Sequence, residues 1–257
     1  MKAALRILVF ALALSLLLGG ASLADDGKVY VVGTNAEFPP FEFIDDDGNF
    51  AGFDMELVGI LLDRIGVKYE YETMAFPALL PALATGKIDI IAAAMTINDE
   101  RKENALFTDP YFHATQKIIV LADNDEILGE EDLSGKAIGV QLGTTGDIYI
   151  SSLADWGDIE DVDIQRFDKA ITAVMDLTTG RLDAVVVDEG VSVYFANAID
   201  GIKILEETLS DEYYGMAMKL GSDDFMELLN EQLLIAREDG TYDALFAKYF
   251  ASAETEG

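Results

Sequence analysis

Along this chain the apolar positions change period repeatedly, from two to about 3.6 and back. Val29-Tyr30-Val31-Val32 is a short β-branched and aromatic run. Over residues 53–65, Met55, Val58, Leu61 and Leu62 fall near one face of a helix. Residues 67–73 alternate as a strand does. Residues 77–84 predict a helix, with Pro77 at its start and Gly86 just beyond its end. The apolar run 88–95 suits a strand buried in a parallel sheet. The alternation returns after residue 116, with strand candidates at 116–121 and 214–219. The tail 222–250 is helical with a break at Asp239-Gly240, and is too small to be a domain of its own. Strands separated by helices predict parallel βαβ units.

Two segments repeat. Gly27-Lys28-Val29-Tyr30-Val31-Val32-Gly33-Thr34 is echoed, with two extra residues, by Gly135-Lys136-Ala137-Ile138-Gly139-Val140-Gln141-Leu142-Gly143-Thr144. Thr85-Gly86-Lys87-Ile88-Asp89-Ile90-Ile91 is echoed by Thr179-Gly180-Arg181-Leu182-Asp183-Ala184-Val185. Either echo alone is also what common helix-to-strand turns produce. The same pair in the same order, roughly one hundred residues apart, predicts two similar lobes. The fold class is therefore α/β: two lobes, each a mostly parallel sheet flanked by helices, joined by a hinge of two chain segments near 113–118 and 209–215. Lobe 1 is expected over 25–115 plus 213–257, and lobe 2 over 116–212.

The N-terminus adds a targeting signal. Lys2 and Arg6 precede an apolar run over 7–18, too short to span a bilayer comfortably, and Ser22-Leu23-Ala24 has the form of a cleavage site. Residues 1–24 read as a cleaved signal peptide for export to the periplasm; an uncleaved anchor is the alternative. No cysteine exists for lipid attachment.

Composition then removes whole classes of function. Half of the 257 residues are apolar, enough for a real core. With 17 basic and 48 acidic residues the net charge is −31, which excludes a nucleic-acid partner and disfavours adsorption on an anionic membrane. Without cysteine there is no disulfide, thiolate nucleophile or Cys-ligated metal. His113 is the only histidine, so Ser-His-Asp, Cys-His and multi-histidine metal sites are absent, and no metal or cofactor is expected. His113 itself reads as a surface or packing residue of the hinge.

Candidate chemistry gathers at strand ends, where open α/β sheets bind ligands. Thr96 follows the buried run 88–95, Asn98 is a helix cap, and Arg101 lies in the first turn beyond it. Composition alone favours a surface ion pair for Arg101 with Asp99 or Glu100. Gly143-Thr144-Thr145-Gly146 opens a helix after a strand and offers N–H groups to an anion, or is simply a cap. Asp188 ends an apolar strand, where it either caps the next helix or faces a cation. Phe38 follows the first strand and Phe76 the strand over 67–73; the two rings either sandwich a ligand or belong to the core.

The ordered set of motifs resembles the polar amino-acid members of the periplasmic solute-binding proteins, the glutamine, histidine and lysine/arginine/ornithine binders. The matching stretches include Phe38-Pro39-Pro40-Phe41-Glu42-Phe43, Gly52-Phe53-Asp54-Met55-Glu56-Leu57, Met95-Thr96-Ile97-Asn98-Asp99-Glu100-Arg101 and Phe107-Thr108-Asp109-Pro110-Tyr111-Phe112, followed by Gly143-Thr144-Thr145, Gly180-Arg181-Leu182-Asp183-Ala184 and Glu238-Asp239-Gly240-Thr241-Tyr242. The resemblance implies the type II periplasmic binding protein fold. It implies a free amino-acid ligand and, as partner, an ABC transporter permease in the inner membrane; a monomer is expected. It makes Arg101 the clamp for the ligand carboxylate, completed by Thr96 and by the backbone around Ala94 and Thr145, with the Ala94 N–H free to serve. Asp188 takes the ammonium, and Phe38 and Phe76 form aromatic walls. Asn35 stands where binders of basic ligands carry Asp, and Gln141 where glutamine binders carry Lys. The amide at 35 suits a polar, uncharged, glutamine-like side chain. The rival readings are a cyclohexadienyl dehydratase-like enzyme on the same scaffold and a ligand-binding sensor module.

Overall fold

The computed structural model describes residues 27–250; the signal segment expected over 1–24 lies outside them. In chain order the first elements are β1 (Val29–Thr34), a small ribbon of β2 (Glu37–Phe38), β3 (Glu42–Ile44) and β4 (Phe50–Ala51), α1 (Phe53–Ile65) and β5 (Lys68–Thr73). Next come α2 (Leu79–Thr85), β6 (Ile90–Ile91), α3 (Asp99–Lys102), β7 (Ala105–Phe107) and β8 (Phe112–Ala114). The middle of the chain gives β9 (Gln116–Leu121), β10 (Ala137–Gln141), α4 (Thr145–Trp156), β11 (Asp163–Phe167), α5 (Ala170–Thr178), β12 (Ala184–Asp188), α6 (Glu189–Ala198) and β13 (Ile202–Ile204). The chain closes with β14 (Glu212–Tyr214), β15 (Ala217–Lys219), α7 (Asp223–Glu238) and α8 (Thr241–Phe250).

Two five-stranded sheets result, ordered β5-β1-β6-β15-β7 and β11-β10-β12-β9-β13. Their pairings correspond position by position: two parallel contacts, then two antiparallel ones. In each sheet four strands therefore run one way, and the reversed strand, β15 or β9, is the one that has just arrived from the other lobe. The chain segments that pass between the two sheets include β8 and β14, which pair antiparallel, with His113 opposite Tyr213. His113 lies exposed on this ribbon and pairs with Asp211.

The sequence echoes mark equivalent positions in the two sheets. Gly86 and Gly180 both end helices with positive φ, 73° and 71°, a region open to glycine at little cost. Three residues later Asp89 accepts a hydrogen bond from the Val31 N–H at 2.9 Å, and Asp183 accepts one from the Ala137 N–H at 2.7 Å. One carboxylate thus ties the central strand of each sheet to its neighbour.

Three expected boundaries shift for local reasons. The helix expected over 77–84 becomes a 3-10 turn over Phe76–Ala78 followed by α2. Starting the α-helix at Leu79 keeps Pro81 in its first turn, where a missing N–H costs nothing. The run 88–95 is buried apart from Asp89, but only Ile90–Ile91 ladders, and the chain beyond turns left-handed at Ala94, φ 46°. The strand expected over 214–219 is divided at Gly215, whose N–H donates to the Met95 carbonyl at 3.0 Å.

Each lobe has an apolar core of its own, and a third, larger one runs from lobe 1 through Phe41, Phe53 and Tyr214 into lobe 2. Helices α7 and α8 pack on α1. Arg64 of α1 fixes them there through Asp239 and Thr241, each at 2.8 Å.

Candidate functional site

The carboxyl ends of β6, β10 and β12 converge with the hinge on a narrow cavity, with about 10 Å³ of free space. Asn35, Phe38, Phe76, Ala94, Thr96 and Arg101 line it from lobe 1; Gln141, Thr145 and Asp188 line it from lobe 2. All nine residues singled out in the sequence are thus brought to one place. A larger, more open groove beside α6 and α8, lined by Phe41, Phe112, Val193 and Phe250, holds no buried guanidinium.

Arg101 is buried, not surface-paired. Its helix is a single turn, and the Asn98 side chain accepts from the Arg101 N–H at 2.8 Å, which caps the turn and folds the residue inward. Nη1 donates to the Thr96 carbonyl at 2.8 Å, and Nη2 reaches the Gly143 carbonyl of lobe 2 at 3.2 Å. The guanidinium lies over Phe76, 5.4 Å from the ring centroid. Burial lowers its pKa, and the carboxylates of Glu212 and Asp188 oppose that shift. Thr96 and Thr145, from different lobes, lie 3.3 Å apart, and both hydroxyls donate to one oxygen of Glu212, at 2.7 and 2.6 Å.

Ala94 borders the cavity, but its N–H is not free, contrary to expectation. It donates to Asp54 Oδ2 at 2.8 Å. The left-handed turn that ends β6 is what aims this N–H at α1. Tyr111 donates to the same oxygen, so Asp54 is the buried post on which the Ala94 turn rests.

Asp188 sits at the N-cap position of α6 without capping it. Its carboxyl instead accepts from the Tyr214 hydroxyl of the hinge strand. Burial first, and then the nearby Glu212, push its pKa up to about 7, against hydrogen bonds from Tyr214 and Gln116. Glu42, a further lining residue, is held well above the usual carboxylate range by burial and by the charges of Asp54 and Asp188. Asp54 is raised by burial to about 7.

Between these charged ends lie amides and rings. Asn35 donates to the Met74 carbonyl at 2.9 Å and accepts from Gln141 Nε2 across the lobes at 2.9 Å. Gln141 Oε1 is buried without a partner. Phe38 and Phe76 are both buried against this region.

Glu42, Glu212, Tyr214, Gln116 and Asp54 were not anticipated. For Glu42 and Asp54 a signal existed: each is an acid set between large apolar residues, in Phe41-Glu42-Phe43 and Phe53-Asp54-Met55. Glu212, in Ser210-Asp211-Glu212, looks like any acidic surface loop. No group of three or more His, Cys, Asp or Glu side chains suited to a metal occurs among the described residues. The geometry opposes a guanidinium to carboxyls across a narrow space, complementary in charge to a small dipolar molecule.

Residues 30–252 match the family model for bacterial extracellular solute-binding proteins, family 3. A probable histidine-binding protein of Neisseria gonorrhoeae is 37% identical over 237 residues, which cover 90% of this chain and 86% of that protein. An ancestral arginine-binding protein, solved with arginine and also with glutamine, is 42% identical with a TM-score of 0.81, covering 86% of this chain and at least 97% of that one. An ancestral amino acid-binding protein that is a precursor of cyclohexadienyl dehydratase is 35% identical with a TM-score of 0.80, covering 86% of this chain and 95% of that one.

Proposed function

Because the chain belongs to the bacterial extracellular solute-binding proteins, family 3, we propose that it binds a free amino acid in this cavity and delivers it to an ABC transporter permease of the inner membrane. One observation carries the reading: a buried guanidinium from one lobe and a buried carboxyl from the other line the same narrow cavity. Arg101 clamps the ligand carboxylate, with Thr96 and Thr145 beside it, and Asp188 receives the ammonium. Phe38 and Phe76 flank the aliphatic part. At the side-chain end Asn35 and Gln141 favour a polar, uncharged, glutamine-like group, the unpartnered Gln141 Oε1 accepting from an amide N–H. The site residues of lobe 1 (25–115 plus 213–257) and lobe 2 (116–212) come together only when the hinge closes. A zwitterion bridging them adds attraction to the closed state alone, and that difference in affinity drives closure. The protein works in the periplasm as a monomer, exported through a cleaved signal over 1–24.

The test is a thermal-shift screen against the twenty amino acids and L-cystine. A ligand that binds only the folded form must raise the melting temperature, with L-glutamine or a close relative expected to raise it most. If no amino acid shifts the transition at millimolar concentration, the reading is wrong. The dehydratase alternative is checked by incubation with prephenate and with arogenate, both of which should be recovered unconsumed.

A further inference from the structure

Glu42 is the least satisfied acid bordering the cavity. It is 1% exposed, and its Oε2 has no hydrogen-bond partner. The charges that act on it, Asp54 from α1 and Asp188 from the end of β12, have its own sign. The other titratable groups around this corner are Tyr111, which serves Asp54, Tyr214, which serves Asp188, and Glu212, whose oxygens are taken up by Thr96, Thr145 and Ser210. Arg101, the cation of the cavity, is engaged by the carbonyls of Thr96 and Gly143.

A carboxyl in this position either keeps a proton or meets an incoming cation. An ammonium brings three N–H donors. Asp188 already accepts from Tyr214, and one carboxylate approached from one side cannot serve all three. We infer that Glu42 and Asp188 together form the ammonium end of the cavity, and that a proton held on this pair leaves to solvent when the ligand's ammonium enters. The ligand keeps its three ammonium protons, one carboxyl O–H bond of the pair breaks, and the released proton goes to the buffer. Burial and like charge, which hold Glu42 high and Asp188 near 7, supply that proton at neutral pH.

The inference rests on the amino-acid reading of the site, and its test separates the two. The probe is whichever amino acid gives the largest thermal shift. Calorimetric titration at pH 7 in phosphate and in Tris, which differ in ionisation enthalpy, counts protons released per ligand. The wild type should release a clear fraction of one proton. Glu42→Gln, which keeps shape and one acceptor, should bind at least about tenfold more weakly and release measurably less. Glu42→Asp keeps the carboxyl, so it should retain the proton release even if its affinity falls; it also serves if Glu42→Gln does not fold. The α-hydroxy acid analogue of the probe, which lacks the ammonium, should bind weakly and release no proton. Binding of the probe to Glu42→Gln with wild-type affinity and proton count overturns the assignment while leaving the amino-acid reading intact. A flat thermal-shift screen overturns both.

Discussion

The two ends of the cavity are built on opposite principles. At the arginine end every device is engaged: Arg101 is hydrogen-bonded to one carbonyl in each lobe and lies over Phe76, and the two threonines share Glu212. At the carboxyl end polar capacity is left unmet: Glu42 Oε2 has no partner, and acids outnumber the hydroxyls offered to them. A satisfied end fixes geometry before a ligand arrives. An unsatisfied end gives the ligand something only it can supply. The first is expected to be indifferent to pH near neutrality, because a guanidinium stays protonated there. The second titrates.

The largest expected effect tests that asymmetry directly. Arg101→Ala and Asp188→Ala each leave a desolvated ligand charge without its partner, so each should weaken binding by about 3–5 kcal/mol. Their pH profiles should differ. Arg101→Ala keeps the wild-type gain in affinity as pH rises through about 7, the value to which burial raises Asp188, whereas Asp188→Ala loses most of it. Calorimetry between pH 5.5 and 8 reads both quantities. Wild-type affinity in both variants would remove the site, and identical pH profiles would remove the contrast between its ends.

The satisfied end was largely legible in the sequence, and the unsatisfied end was half hidden. Asn98 and Arg101 are local: a cap and the residue three positions on, in one turn after a buried run. Asp188 was visible as a carboxyl ending an apolar strand, although nothing nearby told a cap from a ligand; in the structure it makes no capping bond. Glu42, Asp54 and Glu212 are buried only because two lobes and a hinge strand meet over them. Burial of that kind is a property of pairs distant in sequence, such as Thr145 with Glu212 or Ala94 with Asp54. The fold was legible for a complementary reason: its repeats carry their own strand ties, Asp89 and Asp183. What pattern alone could not show was that the run 88–95 leaves the sheet after Ile91 and turns left-handed at Ala94, where the N–H bonds an acceptor forty residues earlier.

Glu212 lies between the two ends and offers a second, smaller break. Its Oε2 is the common acceptor for hydroxyls from both lobes, and its charge acts on both Arg101 and Asp188. Glu212→Ala removes that acceptor, leaving Thr96 and Thr145 to bond each other at a longer distance. Binding should weaken by about 1–3 kcal/mol, the range for a buried donor losing its partner. Glu212→Gln keeps an acceptor oxygen but removes the charge that helps raise Asp188, so its affinity should begin to rise at a lower pH than in the wild type. Equal affinities and equal pH onsets across wild type, Ala and Gln would show that Glu212 couples nothing.

The smallest effect falls on stability rather than binding, at the post beneath the cavity. Burial raises Asp54 from 3.8 to about 7. A carboxyl whose folded pKa lies above its unfolded one binds its proton more tightly in the folded state. Its contribution is therefore fully present below pH about 4 and is lost as pH rises through about 7. The slope over that window is at most about 1.4 kcal/mol per pH unit. Asp54→Asn keeps an oxygen to accept from the Ala94 N–H and the Tyr111 hydroxyl, and places its NH₂ where Oδ1 now lacks a partner. The protonated carboxyl of the wild type carries an equally unmet O–H at that position, so the two proteins differ little while Asp54 keeps its proton. The two should thus be about equally stable at pH 5, and Asp54→Asn should be the more stable protein by pH 8. The shift should show as a few degrees in melting temperature, measured without ligand so that closure by an amino acid does not enter. Melting curves that stay parallel across the window would mean that Asp54 is ionised in the folded protein throughout, and that the Ala94 turn is held by a charge rather than by a buried acid.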